Sequence, residues 1–192
     1  MTKTVAVVMV DGPADWEMGP VLAAVREWFG MNVITATEDG QPIVSIGGVT
    51  ILPQRKLADL APAEADLWIL PGSDGWRERI PPAILDGIKA RVAAGKPVAG
   101  ICGATVALAR AGLLDDRPHT SNSLEFLREN APDYAGADRY ADKPCVSDGL
   151  VVSASGMGPI GFAVQCLRIL APEQPEQIEE VRAAFAREHA AP

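Results

Sequence analysis

Short, β-branched apolar segments alternate with segments of helical periodicity along this chain, and this alternation constrains the fold more than any other feature. Four segments have the composition of strands that are buried on both faces. They cover residues 4–10, 32–37, 67–70 and 97–101. Four further segments carry apolar residues at three- and four-residue spacings, which is typical of helices. They cover residues 21–29, 82–94, 104–111 and 162–170.

Strands that alternate with helices are joined by crossover connections, which make the strands parallel and place helices on both faces of the sheet. The sequence therefore predicts an α/β fold, a three-layer sandwich around a mostly parallel sheet. A small hairpin is predicted as an insertion, with strands at residues 43–45 and 50–52 on either side of Gly47-Gly48. We expect a single domain over residues 1–192, because no linker or internal repeat interrupts the pattern.

A second irregular stretch, residues 138–152, is predicted to hold two short strands around the turn Ser147-Asp148-Gly149. Near the C-terminus, Pro175 is predicted to begin a helix, because proline is favoured at a first helical position.

Composition excludes several classes of partner. The chain has 17 Lys and Arg residues against 25 Asp and Glu, a net charge of −8 that would repel nucleic acid and an anionic membrane surface. Its three cysteines form no disulfide framework and no CxxC zinc pattern, which fits a reducing compartment. We expect a cytoplasmic protein with no membrane contact, because the apolar run after the N-terminus is too short for a membrane span.

The segment around Cys102 is the most informative. A predicted buried strand runs into Cys102 and a predicted helix follows at once, and Gly100 and Ala104 lie two residues to either side. This small-x-nucleophile-x-small pattern is typical of a nucleophile elbow, in which a sharp turn leaves no room for bulky neighbours. The N–H groups of the following helix would favour a thiolate and lower the pKa of Cys102.

The alternative is that Cys102 is only a small buried apolar residue, as most free cysteines are. That interpretation is preferred for Cys166, which lies in the middle of a predicted helix. Cys145 follows Pro144, and no neighbouring residue in the sequence would activate it.

Two further segments follow predicted strands and would reach the same edge of the sheet as Cys102. Glu17 lies after the first strand, where a carboxylate also fits the first turn of a helix. Gly72 lies in the segment after the third strand, where glycines allow backbone N–H groups to approach a ligand closely, as an oxyanion hole requires. In open parallel sheets, ligands bind at the carboxyl ends of the strands.

Taken in order, these segments resemble the DJ-1/PfpI superfamily, which is related to the class I glutamine amidotransferases. The resemblance extends over nearly the whole chain. It is carried by residues 14–17, 47–48, 70–72, 98–104, 111–114, 119–122 and 147–162.

The resemblance implies a flavodoxin-like fold, a homodimer, and neither a metal nor an organic cofactor. It also implies that Cys102 is the reactive cysteine and Glu17 its carboxyl partner, with the N–H groups of Gly72 and Gly103 as oxyanion donors. A carboxyl group buried beside a thiolate should have a raised pKa, so a protonated Glu17 could donate a hydrogen bond to the sulfur.

The chain departs from the family pattern at the histidines. Gly103 occupies the position directly after the cysteine where protease-like and glyoxalase-like members often have His, and Asn122 matches the later His of the oxidative-stress branch. Asn122 could instead orient a substrate carbonyl. His119 lies three residues before Asn122 and should face the opposite side of a strand. The only other histidine, His189, lies in the C-terminal tail. A base from His119 or from a partner chain therefore stays open.

Three functions are compatible with these residues. The first is a cysteine-dependent hydrolase- or lyase-like enzyme that acts on a small molecule, a reactive carbonyl, amide or related electrophile. The second is an oxidative-stress sensor or protective protein in which the same cysteine is oxidised without turnover. The third is a binding module whose cleft Trp16 and Trp76 would line. Proteolysis and glutamine amide hydrolysis are less favoured, because both need a base for proton transfer.

Overall fold

The structure is a computed structural model that describes residues 2–187, and it confirms the predicted α/β class. The nine described strands are β1 Thr4–Val8, β2 Asn32–Thr37, β3 Ile43–Val44, β4 Thr50–Ile51, β5 Arg55–Lys56, β6 Leu67–Leu70, β7 Val98–Ile101, β8 Cys145–Ser147 and β9 Val151–Ala154. The seven described α-helices are α1 Asp15–Ala23, α2 Gly75–Glu78, α3 Pro82–Ala93, α4 Ala104–Arg110, α5 Leu124–Asn130, α6 Pro159–Leu170 and α7 Pro175–Ala186.

Seven strands form the main sheet in the order β5-β2-β1-β6-β7-β9-β8. All neighbouring pairs in this sheet are parallel except β8, which runs antiparallel to β9. The chain continues from β1 to β2 on one side and returns to β6 on the other, so the strand order reverses between β1 and β6. The carboxyl ends of strands near such a reversal are where ligands bind in this class of sheet.

Helices cover both faces of the sheet, as predicted. Side chains alternate along β1, so Val5 packs against one helical layer and Ala6 against the other. The layer on the Val5 side contains α1, α6 and α7, and the layer on the Ala6 side contains α2 to α5. These buried layers fix the strand ends, and the loops that leave those ends form the candidate site.

The first helix begins earlier than predicted. It starts at Asp15 and not at residue 21, and it continues as a π-helical turn over Ala24–Trp28. The predicted boundary was wrong because Gly19-Pro20 has the composition of a helix breaker, yet Pro20 lies inside α1. Packing of α1 on α6 overrides this local preference. As a result, Glu17 lies in the first turn of a helix and is fully buried.

The two irregular regions have different places in the fold. The hairpin formed by β3 and β4 is antiparallel and separate from the main sheet, as predicted. The strands β8 and β9 flank the predicted turn, but β9 pairs in parallel with β7 and so belongs to the main sheet. This pairing places the residues after β9 directly beside the Cys102 elbow. Within residues 2–187, no helix is both long enough and apolar enough to cross a bilayer.

Candidate active site

The Cys102 backbone adopts the strained conformation expected of a nucleophile elbow. Its φ angle is 56°, in the left-handed region that a Cβ atom disfavours. The residue lies between the end of β7 and the start of α4. Its N–H donates to the Ala154 carbonyl at 2.8 Å, and its carbonyl accepts from the Thr105 N–H at 3.1 Å. These bonds to β9 and α4 hold the sulfur at the carboxyl edge of the sheet.

The small residues around Cys102 are required by packing. A Cβ atom on Gly100 would lie 2.9 Å from Leu108 Cδ1, and one on Gly103 would collide with the Ser73 carbonyl oxygen. Ala104 is fully buried. The spacing that pointed to an elbow in the sequence therefore reflects close contacts on both sides of the turn.

Glu17 lies beside the Cys102 sulfur. Its Oε2 atom accepts a hydrogen bond from the Gly72 N–H at 2.7 Å. Its Oε1 atom is buried, and no N–H or O–H group of residues 2–187 donates to it. A Cβ atom on Gly156 would lie 2.9 Å from both Glu17 Oε1 and Cys102 Sγ, so these two atoms border the same small space. Burial raises the pKa of Glu17, although its hydrogen bonds with Cys102 and Gly72 act in the opposite direction.

The Gly72 amide differs from its predicted role. It was expected to stabilise an oxyanion, but it is occupied by the Glu17 carboxyl group and so holds the acid in place. The Gly103 N–H is directed at the Cys102 sulfur, where it favours the thiolate. The Ser73 N–H donates to no acceptor among residues 2–187, and its nitrogen lies 3.3 Å from the position of a Cβ on Gly103. Ser73 was missed because a turn sequence does not show which of its amides is free.

Asn122 contacts the sulfur in place of a histidine. Its Nδ2 donates to Cys102 Sγ at 3.2 Å, and its Oδ1 accepts from the Gly156 N–H at 2.9 Å. The preceding residue, Ser121, shares a 2.6 Å hydrogen bond with Thr105 Oγ1, which also donates to the Cys102 carbonyl at 2.6 Å. The structure therefore brings Cys102, Glu17 and Asn122 together.

The pKa of the Cys102 thiol is opposite to the expected direction. Burial, together with a charge on Glu17, raises this pKa to about 11, although the N–H groups of Asn122 and Gly103 act to lower it. The helix after the cysteine is only seven residues long. Burial of the sulfur and the adjacent carboxylate therefore outweigh the donors on which the sequence prediction rested. This result links the state of the thiol to the protonation of Glu17.

His119 does not reach the cysteine. It is fully buried, its Nδ1 is 2.8 Å from the Arg117 carbonyl, and its Nε2 is 2.6 Å from the Tyr134 hydroxyl. Both ring nitrogens are thus engaged away from the sulfur, as expected if His119 and Asn122 face opposite sides. Burial lowers the pKa of His119. His189 lies outside the described residues.

The other two cysteines have the environments of packing residues. Cys166 is fully buried, and burial raises its pKa well above the ordinary value. Burial raises the pKa of Cys145 to about 12. Among residues 2–187, no three His, Cys, Asp or Glu side chains converge to form a metal site.

The two tryptophans considered as cleft residues have different positions. Trp76 is fully buried, and its Nε1 donates to the Pro71 carbonyl at 2.7 Å, so it does not line a cleft. Trp16 is half-exposed, and its Nε1 donates to the Gly156 carbonyl at 3.3 Å. Gly156 was not recognised as a site residue from the sequence, where it was only one position in the matched segment after β9.

Comparisons with known proteins agree with the fold and with the family that the sequence resembles. The DJ-1/PfpI family model matches residues 3–169. An uncharacterized protease from Bacillus subtilis, YoaZ, is 35% identical over 176 residues, which cover 88% of this chain and 84% of that protein. The crystal structure of a DJ-1 superfamily protein from Agrobacterium tumefaciens is 36% identical with a TM-score of 0.90, and the match covers 98% of this chain and 100% of that one. A thiJ/pfpI family protein from Bacillus anthracis is 33% identical with a TM-score of 0.82, over 94% and 96% of the two chains.

The fold and the arrangement at the elbow thus define an α/β protein of the class that carries a cysteine between a central strand and a helix. The chain belongs to the DJ-1/PfpI family.

Proposed function

We propose that this protein is a cysteine-dependent enzyme that acts on a small electrophilic molecule, such as a reactive carbonyl or an amide. The observation that carries the proposal is the set of contacts at the Cys102 sulfur. Asn122 Nδ2 donates to the sulfur at 3.2 Å, and the buried Glu17 carboxyl group lies against it. A strained nucleophile with a donor and an acid at one atom is suited to covalent catalysis.

In the proposed reaction, the Cys102 thiolate adds to the electrophilic carbon of the substrate. The S–C bond forms, the C=O π bond breaks, and the N–H groups of Gly103 and Ser73 stabilise the resulting oxyanion. Protonated Glu17 supplies the proton that neutralises this oxygen or, for an amide, the departing nitrogen. With an amide, water then attacks the thioester, gives its proton to Glu17 and releases the thiolate, so the enzyme returns to its starting state.

Asn122 has a different part from a histidine at the same position. An amide N–H can stabilise a thiolate by hydrogen bonding, but a carboxamide does not act as a general acid or base at neutral pH. Glu17 is therefore the residue that transfers protons in this proposal. Peptide bonds and the glutamine side-chain amide are unactivated and need a separate strong base, so proteolysis and glutamine amide hydrolysis fit the site less well than hydrolysis of an activated amide.

The test is turnover of a panel of small carbonyls and amides by the wild-type protein, by Cys102→Ser and by Cys145→Ser. We expect Cys102→Ser to lose activity and Cys145→Ser to retain it, because Cys145 lies outside the site. Full activity in Cys102→Ser would overturn the assignment of the nucleophile.

A second candidate function is sensing or scavenging of oxidants through the same sulfur. It is favoured by the absence of a histidine from the contacts of Cys102 within residues 2–187 and by the presence of the Asn122 N–H donor. One equivalent of peroxide oxidises the thiolate to a sulfenic acid and is reduced to water, and a second equivalent gives the sulfinic acid. Glu17 and Asn122 could then hydrogen-bond the added oxygens. Mass spectrometry after mild peroxide should find this oxidation at Cys102 first, and equal oxidation of all three cysteines would reject the hypothesis.

We also propose that the protein functions as a homodimer in the cytoplasm. Large apolar side chains are exposed on the hairpin of β3 and β4, where contact with a second copy would remove them from water. They are Val44, Ile46, Val49 and Leu52. Analytical ultracentrifugation at micromolar concentration should give twice the mass of one chain, and a monomer would contradict the proposal.

A further inference from the structure

Trp16 makes a contact at the site that the proposed chemistry does not use. It lies in the first turn of α1, one residue before Glu17, and 54% of its surface is exposed. Its indole Nε1 donates to the Gly156 carbonyl oxygen at 3.3 Å, across 140 residues of sequence. An exposed tryptophan needs no such partner, because water can satisfy its N–H group.

The two peptide groups that flank the Gly156 Cα are each held by a side chain. Its carbonyl accepts from Trp16, and its N–H donates to Asn122 Oδ1 at 2.9 Å. The residue itself has no side chain with which to anchor this turn, and a Cβ atom would lie 2.9 Å from Cys102 Sγ. Its position beside the sulfur is therefore set by these backbone hydrogen bonds and by the turn that follows β9.

The Gly156 N–H also determines which end of the Asn122 amide faces the sulfur. Because this N–H donates to Oδ1, the Nδ2 group is the end that points to Cys102 Sγ. The flipped amide would place two donors against each other at Gly156 and a carbonyl oxygen against the sulfur. Only the observed orientation favours a thiolate.

We infer that Trp16 is a positioning residue, whose indole N–H fixes the backbone at Gly156 and thereby keeps the Asn122 amide donating to the Cys102 sulfur. The inference rests on the proposed function, in that it takes Cys102 as the reactive group. It adds a residue that does not touch the sulfur and acts through two hydrogen bonds.

The test is the rate at which iodoacetamide alkylates Cys102, followed by mass spectrometry in wild-type, Trp16→Phe, Asn122→Ala and double-variant proteins. Trp16→Phe keeps an aromatic ring and removes only the indole N–H. At neutral pH we expect about 3-fold slower alkylation in Trp16→Phe and about 10-fold slower alkylation in Asn122→Ala, since one hydrogen bond to a charged group is worth about this much. Trp28→Phe is the matched control, because Trp28 is a similarly exposed tryptophan that packs on Phe185. Cys102 in this variant should be alkylated at the wild-type rate.

The double variant separates positioning from an independent effect. If Trp16 acts through Asn122, the double variant should be about as slow as Asn122→Ala alone. A wild-type rate in Trp16→Phe overturns the inference, as does a double variant in which the two effects multiply. If Trp16→Phe folds poorly by circular dichroism, Trp16→Leu replaces it, with the same expected rates, because leucine also lacks a donor for the Gly156 carbonyl.

This experiment is independent of the identity of the substrate. Iodoacetamide reports on the sulfur alone, so an enzyme for which no substrate turns over can still show the expected pattern. Conversely, normal turnover that depends on Cys102, with no effect of Trp16→Phe on alkylation, would leave the proposed function intact and reject the role of Trp16.

Discussion

Glu17 and Cys102 share one buried space. The Oε1 atom of Glu17 and the Sγ atom of Cys102 each lie 2.9 Å from the point that a Cβ atom on Gly156 would occupy. Burial raises the pKa of each group, and two negative charges so close together would repel each other. One proton is therefore shared between the acid and the thiol over a wide pH range, and its position decides whether the sulfur is reactive.

Substitution of Glu17 reveals where that proton is. If Glu17 is protonated, Glu17→Gln should leave the thiol pKa nearly unchanged, because the neutral amide still accepts from Gly72 and donates to the sulfur. Glu17→Leu should then raise the thiol pKa, because it removes the donor. The measurement is thiolate absorbance at ultraviolet wavelengths against pH, with Cys102→Ser subtracted as the blank. A lower thiol pKa in both variants would show instead that Glu17 is ionised beside the thiol.

The same carboxyl group should make stability depend on pH. Because burial raises the pKa of Glu17, the folded state binds its proton more tightly than the unfolded state does. Stability should therefore fall as the pH rises above the ordinary value of 4.5 towards the raised value. Glutamine does not titrate, so Glu17→Gln should remove this contribution to the pH dependence of stability. The thermal midpoint of Glu17→Gln should therefore exceed that of the wild type at neutral pH. If the thermal midpoints of the two proteins change with pH in parallel, the raised pKa of Glu17 is contradicted.

Gly156 should be intolerant of even a methyl group. Gly156→Ala would place its Cβ 2.9 Å from the Cys102 sulfur, so the sulfur or the turn must shift. Displacement of a reacting atom by about 1 Å can reduce catalysis by about 100-fold, and we expect a loss of this order in Cys102-dependent turnover. Gly19→Ala is the matched control, because no heavy atom lies within 4 Å of its added Cβ. Equal activity of the two variants would contradict the close packing at Gly156.

Much of the fold could be predicted from the sequence because it depends on local patterns. Buried parallel strands are continuous apolar runs, and β2 and β6 have the predicted bounds. The start of α1 could not be predicted, since Pro20 disfavours a helix locally and only packing on α6 compensates for it. The place of β9 beside β7 depends on a pairing between distant segments, which no local pattern reveals.

The catalytic side chains of the candidate site could be predicted from the sequence, but the backbone groups that contact them could not. Cys102 and Glu17 could be selected because few residue types act as a nucleophile or an acid. The engagement of the Gly72 amide by Glu17 could not, because every residue except proline carries an N–H group. The raised pKa of the Cys102 thiol was missed for a related reason, since burial of the sulfur is a property of the assembled fold.

His119 should make the fold sensitive to acid. Burial lowers its pKa, and the hydrogen bond with the Arg117 carbonyl and the Asp115 carboxylate only partly oppose this effect. The unfolded state therefore binds a proton more readily, and stability should fall as the pH drops below the ordinary value of 6.5. His119→Asn, which can hydrogen-bond but does not titrate, should show a flatter dependence of the thermal midpoint on pH in this range. A wild-type slope in the variant would show that other groups cause the acid sensitivity.

Loss of the Arg91 side chain should reduce the free energy of unfolding more than loss of any other buried polar side chain. Arg91 is fully buried, and its guanidinium donates to the carbonyl oxygens of Pro62, Glu64, Ala65 and Pro97 at 2.7 to 3.0 Å. Arg91→Met would remove four hydrogen bonds, at about 1 kcal/mol each, so we expect a loss of roughly 4 kcal/mol in the free energy of unfolding. Trp68 still donates to the Glu64 and Pro97 carbonyls, whereas no other N–H or O–H group of residues 2–187 donates to the Pro62 and Ala65 carbonyls.

The free energy of unfolding of the Arg91 variants can be measured by urea denaturation. Arg91→Lys is the matched control, because lysine keeps the charge but cannot reach four acceptors in the fixed geometry of a guanidinium. Its stability should lie between those of the wild type and Arg91→Met. One of the acceptors, Ala65, has a φ angle of 68°, which a residue with a Cβ atom adopts only when neighbouring contacts hold it there. If the guanidinium holds this turn, the losses of stability in Arg91→Met and Ala65→Val should be coupled, so that the double variant departs from their sum, and additive losses would indicate that the guanidinium does not hold the turn.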